Sequence, residues 1–194
     1  MFFILLFGCP QSNCFKIQSN EVSQIVQDSL IQYAKREFEI IEIKKRGDTL
    51  LIVSTNNVLF YPFGKYINFN EFKDGYLIKC DLKVKITSSF NIFKIFNIEN
   101  ETSSVKLMEN TETKNLELLE ADIRDNSFKL FYGIRIGMKK DEVFLIFFDK
   151  IPSGLNHIRI IKIASGLEGI WYYFKFSQME QLECVIIESD YVVD

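Results

Sequence analysis

What this chain is short of narrows its function sharply. It has one histidine, three prolines and nine glycines in 194 residues. One histidine and four scattered cysteines do not supply the paired ligands of a zinc centre, so neither a metal nor a cofactor is expected. No glycine-rich loop precedes a helix, which excludes the usual phosphate cradle; Asp74-Gly75 and Arg46-Gly47-Asp48 read as turns instead. Arg46-Gly47-Asp48 also spells an integrin-type tripeptide, but a Gly-Asp turn explains those residues fully. The formal net charge is -3, with lysines and acids alternating along most segments. No basic face is present to gain from counterion release, so nucleic acid is excluded as a partner. No apolar run approaches the roughly 20 residues of a membrane-crossing helix.

What is present is the material of a folded core. Hydrophobic residues make up 47% of the chain against 25% charged, the balance of a globular protein rather than a disordered one. The 19 Phe and 8 Tyr sit among frequent Ile, Asn and Lys. An AT-rich genome explains such a bias as readily as any function does, so it locates no binding site.

Periodicity supplies the elements. Val22, Ile25, Val26, Ser29, Leu30 and Tyr33 recur at helical spacing, predicting a helix over residues 21–36 capped by Ser19 or Asn20. Residues 38–43 and 49–53 are β-rich runs about Lys45-Arg46-Gly47-Asp48, a hairpin. A strand is expected over 76–86, and a second hairpin from 90–98 and 104–108 about Glu99-Asn100-Glu101-Thr102. Asn100-Glu101-Thr102 has the form of a glycosylation sequon, which a hairpin turn explains equally well. Further strands are expected at 116–123 and 128–136, then a short helix at about 139–149, then strands at 158–164, 170–176 and 182–188. Strands following one another without intervening helices make this α+β, mostly antiparallel, with a helix near the N-terminus.

Few side chains combine into chemistry. His157 has no nucleophile context and no orienting acid, so it reads as a loop-edge residue. Asp141 and Glu142 are adjacent, pointing about 100° apart on a helix, where helix-end stabilisation accounts for them. Phe90, Phe93 and Phe96 line either a core or a partner patch. The same choice holds for Trp171, Tyr172 and Tyr173, whose alternation on a strand puts one set outward. These three are the candidate partner-binding aromatics; no catalytic residue is assigned.

The N-terminus carries the most specific signal. Met1-Phe2-Phe3-Ile4-Leu5-Leu6-Phe7-Gly8 is apolar and uncharged and ends at Cys9. Leu6-Phe7-Gly8-Cys9 resembles the lipobox of bacterial lipoproteins, which implies that Cys9 is lipidated and begins the mature chain. Phe7 is bulkier than usual there, and no Lys or Arg precedes the apolar run. A buried strand over residues 2–7 is the competing reading. With Cys9 acylated, Cys14, Cys80 and Cys184 cannot all pair. Cys80 and Cys184 fall in apolar-alternating stretches, read first as small buried hydrophobes and second as a disulfide.

Ile136-Gly137-Met138-Lys139-Lys140-Asp141-Glu142-Val143, followed by Pro152 and then by the aromatic strand that opens Trp171-Tyr172-Tyr173, resembles the SmpA/OmlA (BamE-like) small outer-membrane lipoproteins with their W-x-Y-x-F strand. The likeness covers residues 133–194, about a third of the chain. It implies a β-lactamase-inhibitor-protein-like local fold, with helices on an antiparallel sheet, and agrees with the lipidation of Cys9. The family's Leu-Gly before the proline is replaced by Phe147-Phe148-Asp149-Lys150.

The expected organisation is a signal peptide at 1–8, a tether at 9–20 and a single α+β domain at 21–194, with 21–126 and 127–194 as candidate subdomains. The function expected is a non-enzymatic, membrane-tethered lipoprotein of the bacterial cell envelope, acting as an interaction or structural module. Its membrane contact is the lipid on Cys9. A surface hydrolase or carbohydrate-binding accessory protein, and a soluble cytosolic α+β protein, are the alternatives.

Overall fold

The computed structural model describes residues 30–66, 68–77, 83–89, 93–110, 112, 116–166 and 169–190. Its centre is one sheet. Strands β1 (Ile40–Arg46) and β2 (Thr49–Ser54) form the first hairpin, turning on Gly47 and Asp48. Gly47 holds φ +58°, the left-handed conformation that a two-residue hairpin turn needs. Strands β3 (Lys83–Ser89), β4 (Phe93–Glu99), β5 (Ser104–Asn110) and β6 (Leu116–Ile123) follow, then β7 (Ile160–Ser165), β8 (Ile170–Phe176) and β9 (Leu182–Ser189). Helix α1 (Phe69–Gly75) precedes β3, and α2 (Lys140–Phe147) precedes β7.

The nine strands run β1-β2-β7-β8-β9-β6-β5-β4-β3 across the sheet. All neighbours are antiparallel except β2 and β7, which run parallel with Leu50 beside Ile161 and Ile52 beside Ile163. The β2–β7 and β6–β9 pairings join residues before and after 127 into one sheet.

Strand alternation sorts the side chains into two faces. One face gathers Ile43, Leu50, Ile52, Ile161, Ile163, Tyr172, Phe174, Val185 and Ile187, all fully buried. The described helical segments cover this face. Phe147 of α2 packs its edge against Phe38 at 4.7 Å and tilts onto Phe174 at 6.1 Å. Phe69 of α1 stacks on Phe96 with centroids 3.8 Å apart. Offset and edge contacts of this kind suit the aromatic quadrupole and account for much of the phenylalanine load. On the other face, Ile95, Met108 and Leu119 form a small satellite cluster with Phe93.

Several expectations are corrected. Residues 128–136 are not a strand: Phe131–Gly133 make a 3-10 turn, with Tyr132 at φ +53° and Gly133 at φ +77°. Phe128, Phe131 and Ile134 are nonetheless buried, because an apolar loop fills the core as well as a strand does. The expected helix over 21–36 falls outside the described residues up to 29. Leu30 and Ile31 are helical, but the chain then bends, and Lys35 N–H donates to Phe147 O at 2.9 Å. Helix α1 lies where no element was expected beyond the Asp74-Gly75 turn. Asn68 Oδ1 accepts from Glu71 N at 3.0 Å to cap it, and Asp74-Gly75 close it rather than forming a free turn. The strand expected from 76 begins at Lys83 within the described residues. Phe93 and Phe96 lie on opposite faces and form no single patch; Phe90 lies outside the described residues.

Candidate functional site

Of the three candidate aromatics on β8, the structure puts Tyr172 in the core and Trp171 and Tyr173 on the outer face. Tyr172 is fully buried, and its hydroxyl donates to the Leu59 carbonyl. Burial pushes the Tyr172 phenol well above its ordinary value of 10.0. Its ring is therefore unavailable to a partner. Trp171 and Tyr173 are half-buried, and register decides what surrounds them.

Val53, Ala164, Trp171 and Glu188 line up across β2, β7, β8 and β9 as one row. Leu51, Lys162, Tyr173 and Ile186 form the next. Seven of these eight are half-buried and Glu188 is exposed, so the rows shield one another in part. Lys162 places its ammonium 4.8 Å from the Tyr173 ring centre, a cation–π contact. None of the described helices covers these rows.

The rows run on into charge at β6, where Glu120 aligns with Glu188 and Asp122 with Ile186. Asp122 holds Arg124 at 2.9 Å and accepts from the Cys184 thiol at 3.5 Å. Burial first, and then the Asp122 carboxylate, push that thiol above its ordinary value. Cys184 is a free, buried cysteine held in its unreactive protonated form. Cys9, Cys14 and Cys80 lie outside the described residues.

The Gly137-to-Val143 stretch builds a joint between sheet and helix. Gly137 adopts φ +87°, its N–H donates to Leu182 O at 2.8 Å, and Met138 O accepts from Leu182 N at 2.8 Å. Glu142 Oε2 accepts from the Lys139 N–H at 2.8 Å, tying off one free donor at the helix start. Asp141 points to solvent. The residue that sequence reasoning missed is Lys140, which is 2% exposed. Its ammonium donates to Glu180 Oε1 at 2.5 Å and to Asn156 O at 2.6 Å. A cation at a helix N-terminus opposes the helix dipole, so these two acceptors are what hold it there. Nothing in the spacing of Lys140 and Glu180 foretells this, because a loop and two strands separate them.

The remaining polar groups act as fasteners. His157 is exposed, and its Nε2 lies 3.2 Å from Gly47 O, joining the β1–β2 turn to the loop before β7. Asp125 accepts from Asn100 Nδ2 at 2.9 Å, Thr102 Oγ1 at 2.5 Å, Ser103 Oγ at 2.6 Å and Ser127 N at 2.8 Å. Burial pushes its carboxyl upward, but the hydrogen bonds from Ser103, Ser127 and Thr102 outweigh that and hold it far below the usual carboxylate range. The sequon residues Asn100 and Thr102 therefore clamp the β4–β5 turn to Asp125. Among the described residues, no three His, Cys, Asp or Glu side chains come together as metal ligands. No described helix is long and apolar enough to cross a membrane.

No family model matches the chain, and neither a curated protein nor a solved structure is found to be similar to it.

Proposed function

We propose that this protein is a lipid-anchored component of the bacterial cell envelope whose folded part is a non-enzymatic interaction module. The observation that carries the interaction role is the pair of cross-strand rows around Trp171 and Tyr173. They place two large aromatics, four aliphatic side chains and one lysine on an outer face that retains solvent contact. Tyr and Trp suit a partner protein, since each supplies large contact area at low entropy cost and keeps a polar edge. The tether rests on Leu6-Phe7-Gly8-Cys9, outside the described residues. Two acyl chains or more on that cysteine give the membrane affinity that a single chain does not. The likeness of residues 133–194 to the SmpA/OmlA lipoproteins finds support in the succession of Gly137 joint, α2 and three antiparallel strands.

The tether is tested by metabolic labelling with an alkyne-bearing fatty acid in cells expressing wild type or Cys9→Ala. Label on wild type and none on the variant is expected; unlabelled wild type overturns the anchor. The face is tested with a photo-crosslinking residue at position 173 and, as control, at position 179. Met179 is 85% exposed and lies off the rows. A discrete protein adduct from 173 alone is expected, and adducts from both positions or neither overturn the contact surface.

A further inference from the structure

On the opposite side of the sheet from the aromatic rows, a cleft of about 670 Å³ opens beside the starts of β6 and β8. Leu116, Leu118 and Ile170 lie on the core face of the sheet and form its floor. The 3-10 segment Asn57–Phe60 and the loop to Lys65 form its wall, presenting Val58, Phe60, Tyr61 and Lys65. That wall is fixed from two sides. Asn56 Oδ1 caps it by accepting from Val58 N at 2.8 Å, and Tyr172 donates from beneath to Leu59 O. The volume falls within the roughly 300–1,000 Å³ of small-molecule sites, and a preformed wall spares a ligand the cost of ordering it.

The charges at the rim decide what fits. Lys65 is exposed, and its ammonium lies 5.6 Å from the Tyr61 ring centre. Among the described residues no carboxylate lies within ion-pair distance of it. Glu117 also borders the cleft, but it aligns with Met108, whose side chain belongs to the cluster on the other face. Strand alternation therefore directs the Glu117 carboxylate away from the floor formed by Leu116 and Leu118. Among the described residues, what remains is an apolar trough with one cation, Lys65, and the polar groups of Tyr61 and Asn57 at its edge.

We infer that this cleft binds a small amphiphilic carboxylate, its apolar body along Leu116, Leu118, Ile170, Val58 and Phe60 and its carboxylate at Lys65. A carboxylate at that position gains a charge-assisted hydrogen bond, and an apolar body gains from leaving water. The site is independent of the outer aromatic rows and of Cys9. Decanoate, with decanol as its uncharged counterpart, is the probe, followed by 15N–1H NMR titration of the folded protein. Saturable shifts at the amides of Val58, Tyr61 and Leu118 are expected, with decanoate binding at least tenfold tighter than decanol. Lys65→Met keeps the stem, leaves the core untouched and is expected to abolish that preference. Phe60→Asp sets a carboxylate among the apolar walls and is expected to weaken decanoate at least tenfold. Equal binding of decanoate and decanol, unchanged preference in Lys65→Met, shifts mapping elsewhere, or no shifts at all each overturn the proposal.

Discussion

Replacing Tyr172 with Phe deletes one oxygen from the middle of the sheet and leaves the ring where it is. The ring's stacking on Phe174 at 6.0 Å and its edge contact with Phe131 at 5.6 Å survive, so no apolar burial is lost. What is lost is the donor to Leu59 O, in a residue that is itself fully buried. A buried acceptor stripped of its partner costs about 1–2 kcal/mol. For a chain of this length that lowers the melting temperature by roughly 3–6 °C. Urea unfolding followed by the fluorescence of Trp171, the single tryptophan in the sequence, measures it directly. Alkaline pH supplies a second, independent reading. Burial raises the folded phenol's pKa above that of the unfolded chain, so the folded state holds its proton more tightly. That contribution is fully present below pH about 10 and is lost as pH rises beyond it, at up to about 1.4 kcal/mol per pH unit. Tyr172→Phe has no phenol to lose at this position. Its deficit relative to wild type is therefore expected to shrink between pH 9 and pH 11. Tyr173→Phe on the outer face serves as control and stays within about 0.5 kcal/mol of wild type. A Tyr172→Phe variant as stable as wild type at pH 7, or a deficit that is flat or grows with pH, refutes the reasoning.

Lys140→Met keeps the buried stem and removes the buried ammonium, so it costs no more than about 1 kcal/mol, whereas Lys140→Ala also loses three methylenes and costs about 2 kcal/mol. Glu180→Gln is expected to destabilise more than Lys140→Met in urea, because it leaves a buried cation without its counter-charge; the opposite order refutes the assignment. Asp125→Ala removes an acceptor of four hydrogen bonds and costs about 2 kcal/mol at pH 7. Because the folded Asp125 pKa is depressed, its contribution is present above pH about 4 and disappears as pH falls through the folded value, so wild type and variant converge in acid. Gly137→Ala forces a side chain into φ +87° and costs about 1–2 kcal/mol by thermal melting, although its Cβ meets no atom within 4 Å. Iodoacetamide is expected to modify Cys184 slowly in the native protein and rapidly in denaturant; equal rates refute its burial.

Local patterns left most of the sheet readable. The runs at 49–53, 116–123, 170–176 and 182–188 coincide with β2, β6, β8 and β9 to within a residue or two, because alternation and β-branched content are properties of the segment itself. Helix α2 was equally plain from Gly137 and the acidic first turn. The seven-residue α1 was less so, yet Asn68 and Glu71 stand three apart with Phe69 and Phe72 on one side, a capping signal that was present and overlooked. Residues 128–136 misled, since an apolar run states that a segment is buried without stating its conformation.

The sequence by itself determined which residues alternate, where the turns fall, and that Trp171 and Tyr173 share a face opposite Tyr172, because the twofold period of a strand permits nothing else. It also holds Leu6-Phe7-Gly8-Cys9, the residues on which the proposed anchor rests. Only the tertiary structure decided the rest. The parallel seating of β2 on β7 sets Leu51 beside Lys162 and Val53 beside Ala164, and so makes two rows out of scattered side chains. The fold also buries Lys140 against Glu180 and opens the cleft between Lys65 and Ile170. Those contacts join residues 40 or more positions apart, and strand order across a sheet is chosen by the packing of whole faces, which no local pattern encodes.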